Sequence, residues 1–109
     1  KDETSIQGRI SIDENLIIEK NALIRGPTII GKNTKIEDGV YIGPYTSIGN
    51  NVTVKRGEIE NSIIMDNCHI DIDDRITDSL IGPNSTITST ENKPKARRFL
   101  IGEQSQITL

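Results

Sequence analysis

The residues of this chain that could do chemistry are few and far apart. His69 is its only histidine and Cys68 its only cysteine. An imidazole that titrates near neutrality can act as a general base toward a hydroxyl or an amine. His69 precedes Ile70, so strand alternation turns it outward, where a solvated surface histidine is the simpler reading. A lone histidine cannot supply a three-histidine zinc site, and a lone cysteine cannot close an internal disulfide. Asp71, Asp73, Asp74 and Asp78 suggest a hard-cation loop. The EF-hand pattern, however, would need Gly where Ile76 stands and Glu where Gly82 stands, so a charged corner is the better expectation. Gly26 to Asn33 follows the phosphate-binding pattern of two spaced glycines and a lysine (Gly26, Gly31, Lys32), but Asn33 replaces the hydroxyl residue that would hold Mg²⁺. A last cluster, Lys93, Lys95, Arg97 and Arg98 around Pro94, could contact an anion or a protein partner, or stand in solvent.

Composition limits what could position such groups. The 109 residues are 33% hydrophobic, 3% aromatic and 27% charged, which fits one small domain. Isoleucine alone accounts for 21 of them and Trp is absent. Branching at Cβ stiffens χ1 and favours the pleated backbone, so strands are expected and helices are not. A net charge of −3 removes the broad positive field that duplex nucleic acid or an anionic membrane would need. No apolar run approaches the roughly 18 residues of a spanning helix, and no signal-like segment opens the chain. A cytoplasmic location is therefore expected, with neither nucleic acid nor membrane as partner. The chain opens at Lys1 without Met and enters its pattern within a few residues, as a piece of a longer polypeptide would.

The element that must carry every candidate is a repeat. Ile6, Ile12, Ile18, Ile24, Ile30, Ile36, Ile42, Ile48 and Val54 fall six residues apart. Four residues after most of them stands a small or aliphatic residue: Ala22, Thr28, Thr34, Val40, Thr46, Val52. Turn residues lie between, as in Gly31-Lys32-Asn33, Gly43-Pro44-Tyr45 and Gly49-Asn50-Asn51, where Gly and Asn tolerate positive φ. Each hexad reads as a short strand and a corner. On a helix a spacing of six would scatter the isoleucines over three directions; as sides of a coil, successive hexads stack and cover one another. The register then slips by one residue at Ile59, again at Ile64 and again at Ile81, with Ile70, Ile76 and Ile87 in step between. The next aliphatics in phase are Ile101 and Ile107, so residues 88–100, which hold the basic cluster, leave the coil as a loop. Cys68, four residues after Ile64, falls at a small inward position and is assigned to packing. Asp74 falls at the equivalent position after Ile70, where a carboxylate does not belong, so either the coil bulges there or its phase changes.

The run Ile-Gly-x-Asn-Thr/Val/Ser at Ile30 to Thr34, Ile48 to Val52 and Ile81 to Ser85 resembles the bacterial transferase hexapeptide repeat. That resemblance implies an all-β fold, a single-stranded left-handed parallel β-helix of triangular cross-section over residues 1–109. At three hexads per coil this makes about five to six coils. The hand comes from the resemblance alone. A narrower resemblance rests on IGPYTSIG (Ile42 to Gly49), IENSIIMD (Ile59 to Asp66), ITDSLIG (Ile76 to Gly82) and PKARRFLIGEQSQITL (Pro94 to Leu109). These are similar to the C-terminal domain of long-form glucose-1-phosphate thymidylyltransferases. Such proteins condense glucose 1-phosphate with dTTP to give dTDP-glucose and pyrophosphate, with Mg²⁺ in an upstream catalytic domain. The resemblance implies no catalytic residue and no cofactor in this chain. It implies instead a structural, oligomerising role, as a dimer or trimer and against the catalytic domain. The alternative is an acyltransferase that acetylates an amino sugar from acetyl-CoA with His69 as base. Relatives with that activity carry a Pro-His pair here, whereas this chain reads Cys68-His69-Ile70-Asp71.

Outward positions suggest where subunits meet. Counting five residues past each guide isoleucine puts Leu23 and Tyr41 on one face with Ile59 near them, and Ile17 and Ile29 on the other two. Leu23, Tyr41 and Ile59 are the expected subunit or interdomain patch.

Overall fold

The computed structural model describes residues 5–89, 100–101 and 106–108. Its first turn holds β1 (Ser5–Gln7), β2 (Ile10–Ile12) and β3 (Ile17–Ile18), and its second β4 (Leu23–Arg25), β5 (Thr28–Ile30) and β6 (Lys35–Ile36). Then follow β7 (Tyr41–Ile42), β8 (Thr46–Ile48), β9 (Thr53–Glu60), β10 (Ile63–Ile64), β11 (His69–Thr77), β12 (Leu80–Ile81) and β13 (Thr86–Thr88). β14 (Leu100–Ile101) and β15 (Gln106–Thr108) continue the stack. Every pairing is parallel and joins a strand to its equivalent one turn away. The fold is an all-β, left-handed parallel β-helix of about 5 turns.

The hexad isoleucines build its core as vertical stacks. One face aligns Ile6, Ile24, Ile42, Ile59 and Ile76. The second aligns Ile12, Ile30, Ile48, Ile64 and Ile81, and the third Ile18, Ile36, Val54, Ile70 and Ile87. From Ile24 to Ile87 every guide residue is at most 1% exposed, and each such burial stabilises the fold by roughly 1.5–3 kcal/mol. Ile6 and Ile12 stay about half exposed, because no described residue covers the first turn from the other side.

The small inward positions are buried as expected, and the structure adds what they do. Thr28 Oγ1 donates to the carbonyls of Arg25 (2.8 Å) and Gly43 (3.1 Å). Thr34 Oγ1 donates to Gly49 (2.8 Å), Cys68 Sγ to Gly82 (3.2 Å) and Ser85 Oγ to Gly82 (2.8 Å). A short side chain bearing one donor thus satisfies a carbonyl that a tight corner would otherwise bury without a partner.

At most corners asparagine takes the left-handed backbone: Asn15, Asn21, Asn33, Asn51, Asn61, Asn67 and Asn84 all have φ between 49° and 64°, while Gly8, Gly39, Tyr45 and Asp78 take positive φ at others. Gly31 and Gly49 are needed for a different reason. A Cβ on Gly31 would collide with the Asn50 side chain and one on Gly49 with that of Asp66. Those side chains fold over the glycines to accept the N–H of Lys32 (2.9 Å) and of Asn50 (2.8 Å).

The register slips are real and change the architecture. β9 turns a corner without leaving the sheet, pairing with β6 through Val54 and with β7 through Ile59. β11 follows it round and bulges between Ile70 and Arg75. This settles the position of Asp74: the coil bulges, Asp74 is exposed, and Ile72 enters the interior at 1% exposure. The same slip corrects Ile59, which lies between Ile42 and Ile76 in the core and is not a surface residue. A five-residue side makes Ile59 the guide and turns Glu58 outward in its place. The backbone pairs Ile81 with Ile101 and Ile87 with Ile107, so the chain does rejoin the stack there. Lys93, Lys95, Arg97 and Arg98 lie outside the described residues.

Candidate functional site

The sequence candidates do not converge. His69 stands exposed at the start of β11, flanked in register by Thr53 and Thr86, and its backbone N–H is held by Ser85 (2.9 Å). Cys68 beside it points inward and is 3% exposed. Burial pushes its thiol above the usual range, so the nucleophilic thiolate is disfavoured. Three of the four carboxylates are held by separate partners. Asp71 accepts from Arg56 Nε (2.8 Å), Asp74 accepts the backbone N–H of Arg75 (2.8 Å), and Asp78 accepts from Asn61. The backbone N–H of Asp73 donates to Ser89 Oγ (3.0 Å). No group of three or more His, Cys, Asp or Glu among the described residues could hold a metal ion. The phosphate-loop pattern from Gly26 to Asn33 spans β5 and the next corner, and leads into β6 rather than a helix.

The densest polar constellation sits where β9 and β11 turn between the third and first faces. Arg75 Nη2 lies 2.8 Å from Glu58 and its Nη1 3.5 Å from Glu60, while Arg56 pairs with Asp71. Hydrogen bonds to these carboxylates raise both guanidinium pKa values further, Arg75 chiefly through Glu58 and Arg56 chiefly through Asp71. An open cleft of about 520 Å³ lies beside them, lined by Gly39, Gly57, Ile72, Asp73 and Asp74 as well. Both arginines are already matched by carboxylates, so the cleft has no net cationic pull on an anion.

What distinguishes the molecule's surface is the difference between its faces. On the first, Leu23, Tyr41, Glu58 and Arg75 form one outward column. Leu23 and Tyr41 are half-buried, and the tyrosine lies over Gly43. On the third the column reads Ile17, Lys35, Thr53, His69 and Thr86. On the second it reads Ser11, Ile29, Ser47, Ile63 and Leu80, with Ile29 58%, Ile63 49% and Leu80 46% exposed. Of these apolar groups the sequence count found only Ile29. Stepping back one residue from each slipped guide, Ile64 and Ile81, would have found Ile63 and Leu80.

A continuous stack of hexad-built turns whose features are its faces and corners defines a hexapeptide-repeat β-helix domain. Within that class the chain belongs to the GMPPB C-terminal domain family, whose model matches residues 24–107. It is 38% identical over 106 residues to a glucose-1-phosphate thymidylyltransferase of Streptomyces antibioticus, covering 97% of this chain and 29% of that protein. A protein of the same name from Streptomyces griseus is 34% identical over 99 residues, covering 91% of this chain and 27% of that one. The low-salt glycan biosynthesis nucleotidyltransferase Agl11 of Haloferax volcanii is 40% identical over 109 residues, covering 99% and 30%. The chain therefore spans less than a third of the length of each of these relatives.

Proposed function

We propose that this β-helix is the structural and oligomerising domain of a sugar-1-phosphate nucleotidylyltransferase, one that joins glucose 1-phosphate to dTTP and releases pyrophosphate. The observation that carries the reading is the near-complete alignment of the chain with two thymidylyltransferases and a nucleotidyltransferase, in each of which it accounts for under a third of the length. In this reading the chemistry and the Mg²⁺ belong to the remaining part of the parent protein. The described residues do not fit the metal, and no reaction step is assigned to them. The β-helix supplies a rigid scaffold whose apolar faces join subunits or brace the catalytic domain. We further infer a cytoplasmic location, where nucleoside triphosphates are available; among the described residues no helix is long and apolar enough to cross a membrane.

The test is pyrophosphate release from dTTP and glucose 1-phosphate, measured with the full gene product and with the 109-residue chain. The reading expects turnover from the full product and none from the chain. Acetyl-CoA consumption by the chain with an amino-sugar phosphate would overturn it.

A further inference from the structure

The central outward column of the second face differs from those of the other faces by its lack of charge. None of Ser11, Ile29, Ser47, Ile63 and Leu80 is ionisable, whereas the equivalent columns contain Glu58 and Arg75, or Lys35 and His69. Beside this column the Asn50 and Asp66 side chains fold over Gly31 and Gly49, and Met65 rises from the same row, 42% exposed. A shallow depression of about 350 Å³ lies there, bordered by Ile29, Gly31, Ser47 and Gly49 with Asp13, Asn50 and Asp66 at its rim. An uncharged column that exposes Ile29, Ile63 and Leu80, with Met65 beside it, marks a contact surface.

We propose that this face is the contact between two copies of the chain, packed antiparallel about a two-fold axis that crosses it at Ser47. The proposal rests on the reading of the domain as an assembly module and names the surface that module uses. An isologous contact sets each residue against the one at its mirrored level. With the axis at Ser47, the turn before it meets the turn after it. Ile29 then faces the partner's Ile63.

The charges along the two edges select this arrangement. One edge column runs Glu14, Lys32, Asn50, Asp66 and Pro83. Lys32 and Asp66 lie one turn either side of the axis, so each lysine meets the partner's Asp66. The other edge runs Arg9, Pro27, Tyr45, Asn61 and Asp78, and each arginine meets the partner's Asp78. All four residues are exposed. Moving the axis half a turn toward the start of the chain would set Glu14 against the partner's Asp66, a like-charge contact. A parallel pairing would bring Lys32 to Pro27 and leave it unmatched. The antiparallel register at Ser47 is thus the complementary one.

Facing sheets lie about 10 Å apart, too far for a disulfide but within reach of a short bis-maleimide. Ser47→Cys should be cross-linked to a covalent dimer at least tenfold more efficiently than Ser11→Cys, since position 11 lies about four strand spacings, roughly 19 Å, from its symmetry mate. Buried Cys68 makes the unsubstituted chain the background control. Ile63→Lys should convert the dimer to a monomer with an unchanged far-ultraviolet circular dichroism spectrum, whereas Leu23→Ser with Tyr41→Ser should leave it dimeric. Equal cross-linking at positions 11 and 47, or a dimer that survives Ile63→Lys, would overturn this contact and leave the assembly reading standing. A native chain that is monomeric throughout would overturn both.

Discussion

Ile72 packs directly over Gly57. A Cβ on that glycine would lie 2.8 Å from Ile72 Cγ1, and the glycine backbone sits at φ +126°, a region that side chains avoid. The pair explains how a six-residue coil absorbs an irregular turn. Where β11 bulges, a large aliphatic enters the interior, and the turn beneath it carries no side chain there.

Gly57→Ala combines a strained backbone with overpacking of a full core and should cost about 2–4 kcal/mol. Ile72→Ala leaves a cavity and should cost about 2–5 kcal/mol. Urea unfolding of the two variants measures both. A Gly57→Ala chain as stable as the native one would show that the corner is not packed as described.

Asn51 and Asn33 hold the corner backbone near φ 58°. Replacing either with Ala should lower stability by about 1–2 kcal/mol, the cost of left-handed backbone for a residue with Cβ, while Gly should be tolerated to within about 1 kcal/mol. Thermal unfolding distinguishes the two outcomes.

Cys68 should resist thiol reagents in the folded protein and react on unfolding. Cys68→Ser should retain the fold, because serine can donate to the Gly82 carbonyl as Ser85 already does. Its folded pKa is raised above the ordinary value of 9.0, chiefly by burial. The stability it contributes is therefore fully present below that pH and is lost as pH rises through the folded value. Stability curves should fall more steeply above pH 9 for the native chain than for Cys68→Ser.

The ion pairs of Arg75 with Glu58 and Glu60 lie at the surface, so Arg75→Gln should leave the urea midpoint essentially unchanged. A marked drop in that midpoint would mean that the corner depends on charge rather than on Ile72.

Most of the fold was legible because the period of six states it directly. Every guide residue from Ile24 to Ile87 is in the core, and the slips at Ile59, Ile64 and Ile81 are present as shortened sides. Two things were not legible. A slip moves every outward position with it, so a fixed count carried past Val54 put Ile59 on the surface and passed over Ile63 and Leu80. The reason for the corner glycines was hidden as well, since it depends on the Asn50 and Asp66 side chains of the following turn and not on local turn preference. The candidate chemistry was legible mainly as its own dispersal. His69, Cys68 and the four aspartates occupy positions fixed by the repeat, and the repeat sends them in different directions.

The most direct test of the account is the mass of the 109-residue chain in solution, measured by light scattering over a range of concentrations. The account predicts about 24 kDa, twice the 12.1 kDa of one chain, shifting to the single-chain value in Ile63→Lys. A native chain of 12.1 kDa at every concentration would contradict it.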